Sequence, residues 1–175
     1  MRRIVIASFV VSALATAGSA RAQTCAEEPG FAALDFWVGE WDVLVDDEQV
    51  GTNQIEKVMS GCAIVEHWMG ADGNPGMSLF YYTPATGIWR QVWVTPYATR
   101  SGGVKEKTMI ATYEDGGVRF QGSIPLGDGK SYLDRTTLTP MADGLVRQVI
   151  AVSRDGGNQW NTGFDAIYRR AEEQP

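Results

Sequence analysis

Turn-forming residues recur along this chain at short, regular intervals, and this spacing constrains the fold more than any other feature. The turn signals are DDEQ (46–49), ADGNPG (71–76), TPATG (83–87), TPYATRSGG (95–103), EDGG (114–117), PLGDGK (125–130), PMADG (140–144) and RDGGN (154–158). The runs between them are rich in Val, Ile, Tyr, Trp and Thr, which favour strands. The sequence therefore predicts an all-β antiparallel meander of about nine or ten strands.

A sheet with this many strands commonly curls and closes, because closure removes the unpaired backbone groups of its edge strands. We therefore predict an antiparallel up-and-down barrel, with a β-sandwich as the alternative. The segment FAALDF, residues 31–36, has a helical pattern and predicts a short N-terminal helix of one or two turns.

The first 22 residues have the features of a cleavable secretory signal. MRR supplies positive charge, the stretch that follows is apolar, and Ala20-Arg21-Ala22 forms an A-x-A cleavage site. We expect cleavage near Ala22, a single mature domain spanning 23–175, and a secreted or periplasmic location. No later apolar run approaches the ~18 residues that a transmembrane helix needs, so no membrane span is expected.

The charge of the mature chain argues against nucleic acid as a partner. Loss of the signal removes three of the 15 basic residues and none of the 21 acidic ones, which leaves a formal net charge of −9. Such a chain repels the phosphates of nucleic acids and anionic lipid surfaces.

Two cysteines, Cys25 and Cys62, remain in the mature region. An even number in an exported chain predicts one disulfide, which would join the N-terminal segment to the strand that begins near Cys62. The chain has a single histidine and no C-x-x-C spacing, so neither a metal site nor a cofactor is expected.

The stretch LDFWVGEWDV, residues 34–43, contains a G-x-W arrangement at Gly39-Glu40-Trp41. Because alternate residues of a strand share a face, Gly39 and Trp41 lie on the same face as Val43, and this is the expected inward face. G-x-W opens the first strand of lipocalins and other calycins, and the sequence resembles these lipocalin-like barrels. An arginine covers the tryptophan in those families, so the resemblance implies this role for Arg169 or Arg170.

Five sequence blocks in order make the resemblance more specific. They are similar to a family of secreted bacterial proteins of unknown function that is assigned to the calycin type, and they cover nearly the whole mature chain. The blocks are DFWVGEWDV, SGCAIVEHWMG, YYTPATGIWRQVW, VRQVIAVSRDGGNQW and FDAIYRR. The resemblance implies structural roles for Gly39 and Trp41, and it implies almost nothing about a ligand or an activity.

Polar residues at inward positions indicate where function is expected. The alternation places Glu66, Gln91 and Gln148 each among large apolar residues of its own strand. A buried polar group without a partner costs about 1–3 kcal/mol, so these residues must pair with one another or with a ligand. The interior candidates for ligand binding are Glu66, Trp68, Tyr81, Trp89, Gln91, Trp93, Arg135 and Gln148. The alternatives are a closed internal network, for example Glu66 with Arg135, and an interior filled by aromatic rings.

These observations predict a barrel that binds a small apolar or amphipathic molecule without catalysis, and we assign no catalytic residue. One alternative is an isomerase or lyase in which interior Glu66 acts as a base. Its neighbour His67 would not share that task, because adjacent residues of a strand point to opposite faces. Another alternative is an interaction module that holds a protein partner with its loops, such as 95–103.

The stretch SRDGGNQW, residues 153–160, fits the S-x-D-x-G-x-x-W pattern of the Asp-box found in sialidase propellers. A propeller needs several blades of roughly 40 to 50 residues, each with its own copy, and this chain has one copy. We therefore interpret the stretch as a single hairpin. Asp155 would accept hydrogen bonds from the turn backbone, and Trp160 would pack across the strands.

Overall fold

The computed structural model describes residues 24–172, which form a closed barrel of ten antiparallel strands. The strands are β1 (Gly39–Val45), β2 (Glu48–Val58), β3 (Ala63–Gly70), β4 (Pro75–Thr83), β5 (Ile88–Val94), β6 (Val104–Thr112), β7 (Val118–Pro125), β8 (Ser131–Pro140), β9 (Val146–Ser153) and β10 (Asn161–Arg170). Each strand pairs with the next along the chain, and β1 pairs with β10. The predicted up-and-down barrel is confirmed, and the sandwich alternative is wrong. The predicted signal segment, 1–22, lies outside the described residues.

Each of the eight turn signals coincides with a connection between consecutive strands, and the sequence pattern misses one further connection. That connection joins β2 to β3 through a 3-10 turn at Met59–Gly61. Met59 and Ser60 adopt positive φ angles of 52° and 57° there, a conformation more typical of glycine and asparagine. A turn built from these residue types has little signal in the sequence.

The N-terminal strap, residues 24–38, covers one end of the barrel. The predicted short helix takes the form of 3-10 turns, two of which are Pro29–Ala32 and Asp35–Trp37. Phe31 and Trp37 of the strap are buried, and the Trp89 side chain of β5 donates a hydrogen bond from Nε1 to the Gly30 carbonyl oxygen at 2.9 Å. The strap therefore seals what we call the closed end of the barrel.

A disulfide joins Cys25 to Cys62, as predicted, and ties the strap to the start of β3. The two cysteines are 37 residues apart in the sequence. For a loop of this length, the loss of chain entropy in the unfolded state stabilises the fold by about 3–4 kcal/mol. The bond thus fixes the strap over the closed end.

Strand β1 follows the predicted alternation. Trp41 is 1% exposed and Val43 is fully buried, whereas Glu40 points to solvent. Of the two candidate arginines, Arg170 lies over the Trp41 ring, with its Cζ atom 3.9 Å from the ring centroid. Its Nη1 atom donates a hydrogen bond to the Val38 carbonyl oxygen at 2.7 Å.

Gly39 is required at the head of β1 for two reasons. Its φ angle of 140° lies in a region that other residues rarely adopt, and a Cβ atom there would clash with the guanidinium of Arg170. The glycine therefore leaves room for the Arg170 guanidinium over the Trp41 ring.

A packed aromatic and aliphatic core fills the closed end of the barrel. Edge-to-face contacts join Trp37 to Phe80, Phe80 to Phe120, and Trp41 to Tyr168, at centroid distances of 5.5, 5.5 and 6.1 Å. Rings in this geometry stabilise a core beyond the area that they bury. The cluster also includes Leu34, Ile55, Ile64, Trp89, Val118, Leu138, Val146 and Ala166.

The Asp-box stretch forms the hairpin between β9 and β10. The Asp155 carboxylate accepts a hydrogen bond from the Gln159 backbone N–H at 3.0 Å and from the Ser153 hydroxyl at 2.7 Å. The Trp160 ring turns back over the outer surface of the barrel, where the Arg135 guanidinium lies 3.9 Å from its centroid. The predicted structural role of the motif is confirmed.

Candidate functional site

A cavity of about 430 Å³ lies inside the barrel at the end opposite the strap. We call this the open end. Its lining residues come from β3, β5, β6, β8, β9 and β10, and they are Glu66, Trp68, Gln91, Trp93, Lys105, Lys107, Asp134, Thr136, Gln148, Ile150, Val152, Gly163, Phe164 and Tyr168. The interior is therefore filled at one end and hollow at the other.

Three aromatic rings lie around the mouth of the cavity. Trp68 and Phe164 meet edge to face at a centroid distance of 6.3 Å, and Trp93 lines the cavity from β5. All three are half-buried, so each keeps part of its surface accessible. A partly exposed ring at the mouth of a cavity can stack on a flat or apolar ligand.

Two glycines make room for the tryptophan rings of the mouth. A Cβ atom at Gly51 would lie 2.6 Å from a ring carbon of Trp68, and one at Gly76 would clash with the ring of Trp93. Each ring thus lies over the bare backbone of a neighbouring strand. Glycine at these two positions therefore allows the Trp68 and Trp93 rings to pack against the backbone at the mouth.

A network of buried polar side chains forms the floor of the cavity around Glu66. Asn53 Nδ2 donates a hydrogen bond to Glu66 Oε1 at 2.8 Å, and the Ser78 hydroxyl donates to Glu66 Oε2 at 2.6 Å. Gln91 Nε2 donates to the Ser78 hydroxyl at 3.0 Å. Asn53, Glu66 and Ser78 are at most 4% exposed, so this network is shielded from bulk water.

The network continues from Asn53 to the other side of the barrel. Asn53 Nδ2 also donates to the Tyr168 hydroxyl at 3.2 Å, and that hydroxyl donates to Gln148 Oε1 at 2.9 Å. Burial, followed by the charge of Glu66, raises the pKa of Tyr168 well above its usual value. Tyr168 therefore serves the network as a neutral hydroxyl.

Burial raises the pKa of the Glu66 carboxyl above its usual value. The hydrogen bonds from Ser78 and Asn53 and the positive charge of Lys107 act in the opposite direction and offset part of this effect. Glu66 thus combines two properties of a candidate acid or base: it lines a cavity and its pKa is shifted toward neutrality.

A cluster of three charged side chains forms another part of the cavity wall. Asp134 is fully buried and pairs with Lys105, whose Nζ atom is 2.7 Å from Oδ2, and with Lys107 on Oδ1. Lys107 Nζ also donates to the Thr136 hydroxyl at 2.6 Å. Burial would raise the pKa of Asp134, but the charges of Lys107 and Lys105 outweigh burial and hold it below its usual value.

Five of the eight predicted interior candidates line the cavity: Glu66, Trp68, Gln91, Trp93 and Gln148. A sixth, Trp89, is buried but belongs to the closed end, where it contacts Phe31. All six residues point inward, as predicted from the alternation of inward and outward side chains along β3, β5 and β9.

The interior placement predicted for Tyr81 and Arg135 is wrong. Tyr81 is 36% exposed on the outer face of β4, because Phe80 takes the inward position beside it. Arg135 lies on the outer face of β8 against Trp160, and its neighbour Asp134 points inward. The proposed pairing of Glu66 with Arg135 is therefore wrong, and the cation near Glu66 is Lys107.

Sequence reasoning missed the cluster of Lys105, Lys107 and Asp134. Lys105 and Lys107 are two residues apart on β6, and this spacing is a signal that they share a face. Lysines on a strand are normally assigned to solvent, since a buried cation needs a partner. The partner, Asp134, is on another strand, and no local pattern reveals that it points inward.

His67 points away from the cavity, as expected from its position beside Glu66. It lies on the outer surface with Nε2 3.4 Å from Glu56 Oε1. Within residues 24–172, no group of three or more His, Cys, Asp or Glu side chains is arranged to hold a metal ion. Across the same residues, no helix has the length and apolar character needed to cross a membrane.

Comparison of the sequence with protein-family profiles and with curated proteins finds no match. The class of protein is therefore defined by the fold and the cavity. The chain forms a closed antiparallel ten-stranded β-barrel, consistent with a lipocalin-like fold and compatible with ligand binding.

Proposed function

We propose that this protein binds a small amphipathic molecule in the cavity at the open end and releases it unchanged. The observation that carries the proposal is the cavity itself, whose volume of about 430 Å³ suits a small organic ligand.

The lining of the cavity supports an amphipathic ligand. The rings of Trp68, Trp93 and Phe164 offer apolar surface at the mouth, and the side chains of Glu66 and Gln91 offer hydrogen-bonding groups at the floor. Pockets that combine large apolar walls with a few placed polar groups orient a ligand through its polar end. The ligand's polar end would thus enter first.

We also propose that the protein is an exported member of the calycin-type family that the sequence resembles. The mature domain would span 23–175 and be located outside the cytoplasm. The closed barrel and the Cys25–Cys62 disulfide support this proposal, because structural disulfides persist in oxidising compartments.

The experiment that tests the binding function compares two tryptophan variants. Native mass spectrometry of protein isolated from its host and a fluorescent-ligand screen first identify a ligand. Trp93→Ala at the mouth should then weaken binding about fivefold to thirtyfold, since it removes a stacking surface worth roughly 1–2 kcal/mol. Trp160→Ala is the matched control, because Trp160 lies on the outer surface.

Three results would count against the binding function. They are the absence of saturable binding throughout the screen, an equal loss of affinity in both variants, and capture of a protein partner through loop 95–103 by a barrel that takes up no small molecule. Circular dichroism of each variant verifies that the barrel remains folded.

Glu66 favours a second candidate function, an isomerase or lyase. It is a buried carboxyl at the cavity floor whose pKa is raised by burial. A base in this position would exchange a carbon-bound proton of the ligand with solvent. Deuterium uptake from D₂O into the ligand found by the screen, lost in Glu66→Gln, would support the enzyme. Equal uptake in the two proteins, or none in either, would dismiss it.

A further inference from the structure

The ionisable groups that line the cavity are balanced in charge. Among the described lining residues, Glu66 and Asp134 are acidic, and Lys105 and Lys107 are basic. Asp134 pairs with both lysines, which leaves one positive charge. Glu66, counted as a carboxylate, offsets that charge, so the lining residues sum to zero.

An uncharged acceptor at the floor lacks a partner. Gln91 is 6% exposed and lines the cavity, and its Nε2 atom donates to the Ser78 hydroxyl. The Ser78 hydroxyl donates its one proton to Glu66, so Gln91 must face it with the amide nitrogen. Gln91 Oε1 consequently accepts no hydrogen bond from any described residue. Buried acceptors of this kind normally have a partner.

We propose that the cavity selects molecules whose polar end is an uncharged hydrogen-bond donor, a hydroxyl or an amide N–H, over carboxylates and ammonium ions of the same shape. This inference rests on the proposed binding function. A neutral donor completes the bonding of Gln91 Oε1 and leaves the charge balance intact. A carboxylate adds a third negative charge beside Glu66 and Asp134, and an ammonium adds a third positive charge beside the two lysines. A buried charge without its own counter-ion is strongly disfavoured.

Three naphthalene derivatives with two-carbon side chains test the selection, one ending in a hydroxyl, one in a carboxylate and one in an ammonium. Isothermal titration calorimetry at about pH 8 keeps carboxylates ionised and amines protonated. We expect the hydroxyl compound to bind at least about tenfold more tightly than either charged compound. A charged compound that binds as tightly as the hydroxyl compound overturns the selection and leaves the binding function standing. If none of the three binds, the selection fails, and the fluorescent-ligand screen separately decides the binding function.

Gln91→Met tests the unpaired acceptor. The substitution keeps a side chain of similar length and removes Oε1, together with the Nε2 donor to the Ser78 hydroxyl. We expect the hydroxyl compound to lose about threefold to tenfold in affinity, the effect of one hydrogen bond, while the charged compounds change little. An equal loss for all three compounds would show that Gln91 shapes the cavity without choosing the donor, and would overturn its assigned role. Thermal unfolding of the variant verifies the fold.

Two further variants test the charge balance in opposite directions. Lys105→Met removes a positive charge from the wall and should raise the affinity of the ammonium compound relative to the carboxylate compound. Glu66→Gln removes a negative charge and should shift the same ratio the other way. Lys130→Met is the matched control, because Lys130 lies in the loop between β7 and β8 and its side chain is 76% exposed. A ratio unchanged in both interior variants, or shifted equally by Lys130→Met, overturns the charge argument.

Discussion

The two ends of the barrel differ in how their interiors are filled. At the closed end, Trp37, Trp41 and Phe80 are almost completely buried and touch one another or their neighbours ring to ring. At the open end, the same sheet encloses a cavity with charged and amide side chains in its lining and three half-buried rings at its mouth. A single sheet thus supports a packed core and a hollow site, one above the other.

The closed end therefore stabilises the fold, and the open end is where a ligand would be selected. The closed end carries the disulfide, the strap and the stacked Arg170, all of which fix the ring of strands. The open end contains buried polar groups that contribute less to stability, because burial of a polar group offsets much of what its hydrogen bonds gain. We therefore expect substitutions at the two ends to affect different measurements.

The largest effect on stability is expected from Trp41→Ala. The change removes a ring that is 1% exposed from a packed core, and such substitutions typically lower the free energy of unfolding by about 3–5 kcal/mol. Trp93→Ala at the mouth should cost much less, about 1 kcal/mol, since Trp93 is only half-buried. Urea denaturation followed by far-ultraviolet circular dichroism measures both.

If Trp41→Ala and Trp93→Ala lowered the free energy of unfolding equally, the two ends would not differ in their contribution to stability. That result would mean that Trp93 at the mouth stabilises the barrel as much as Trp41 at the closed end does. The proposed ligand site would then be a second core.

The disulfide should have the next largest effect. Replacing Cys25 and Cys62 together by serine should lower the free energy of unfolding by about 3 kcal/mol, because the unfolded chain regains the entropy that the closed loop removed. Ligand affinity at the open end should remain within about twofold of the wild-type value if the ends are independent. Denaturation and calorimetry on the double variant provide the two measurements. A large loss of affinity would show that the strap also shapes the cavity.

The sequence predicted those parts of the molecule in which inward and outward residues differ in kind. In β1, apolar Trp41 and Val43 alternate with acidic Glu40 and Asp42, so the inward face was evident. Each of Glu66, Gln91 and Gln148 has apolar residues two positions away, and the inward placement of these three followed from this contrast. Their partners Asn53, Ser78 and Tyr168 were not predicted.

Prediction failed where neighbouring residues are alike. Asp134 and Arg135 are both charged, and Phe80 and Tyr81 are both aromatic, so alternation alone does not tell which member points inward. The register that decides these cases comes from pairing with other strands, such as Gln121 opposite Arg135. The paired cluster of Lys105, Lys107 and Asp134 was missed for the same reason, since its partners meet only in the folded barrel.

The smallest effect that we expect concerns the pH dependence of stability, and it originates at the open end. The pKa of Glu66 is raised in the folded protein by burial, so the folded state binds this proton more tightly than the unfolded state does. The contribution of Glu66 to stability is therefore fully present below its ordinary pKa of about 4.3 and is lost as the pH rises through the raised value.

Glu66→Gln should remove this dependence, because glutamine does not titrate. The difference in unfolding free energy between wild type and variant should then move in favour of the variant as the pH increases from about 4 toward neutrality. Because Ser78, Asn53 and Lys107 offset part of the burial, the change should be smaller than the effects at the closed end. Urea denaturation at a series of pH values measures it. A difference that moves in favour of the wild type would mean that the hydrogen bonds from Ser78 and Asn53 and the charge of Lys107 outweigh burial, and that the floor of the cavity stabilises a carboxylate.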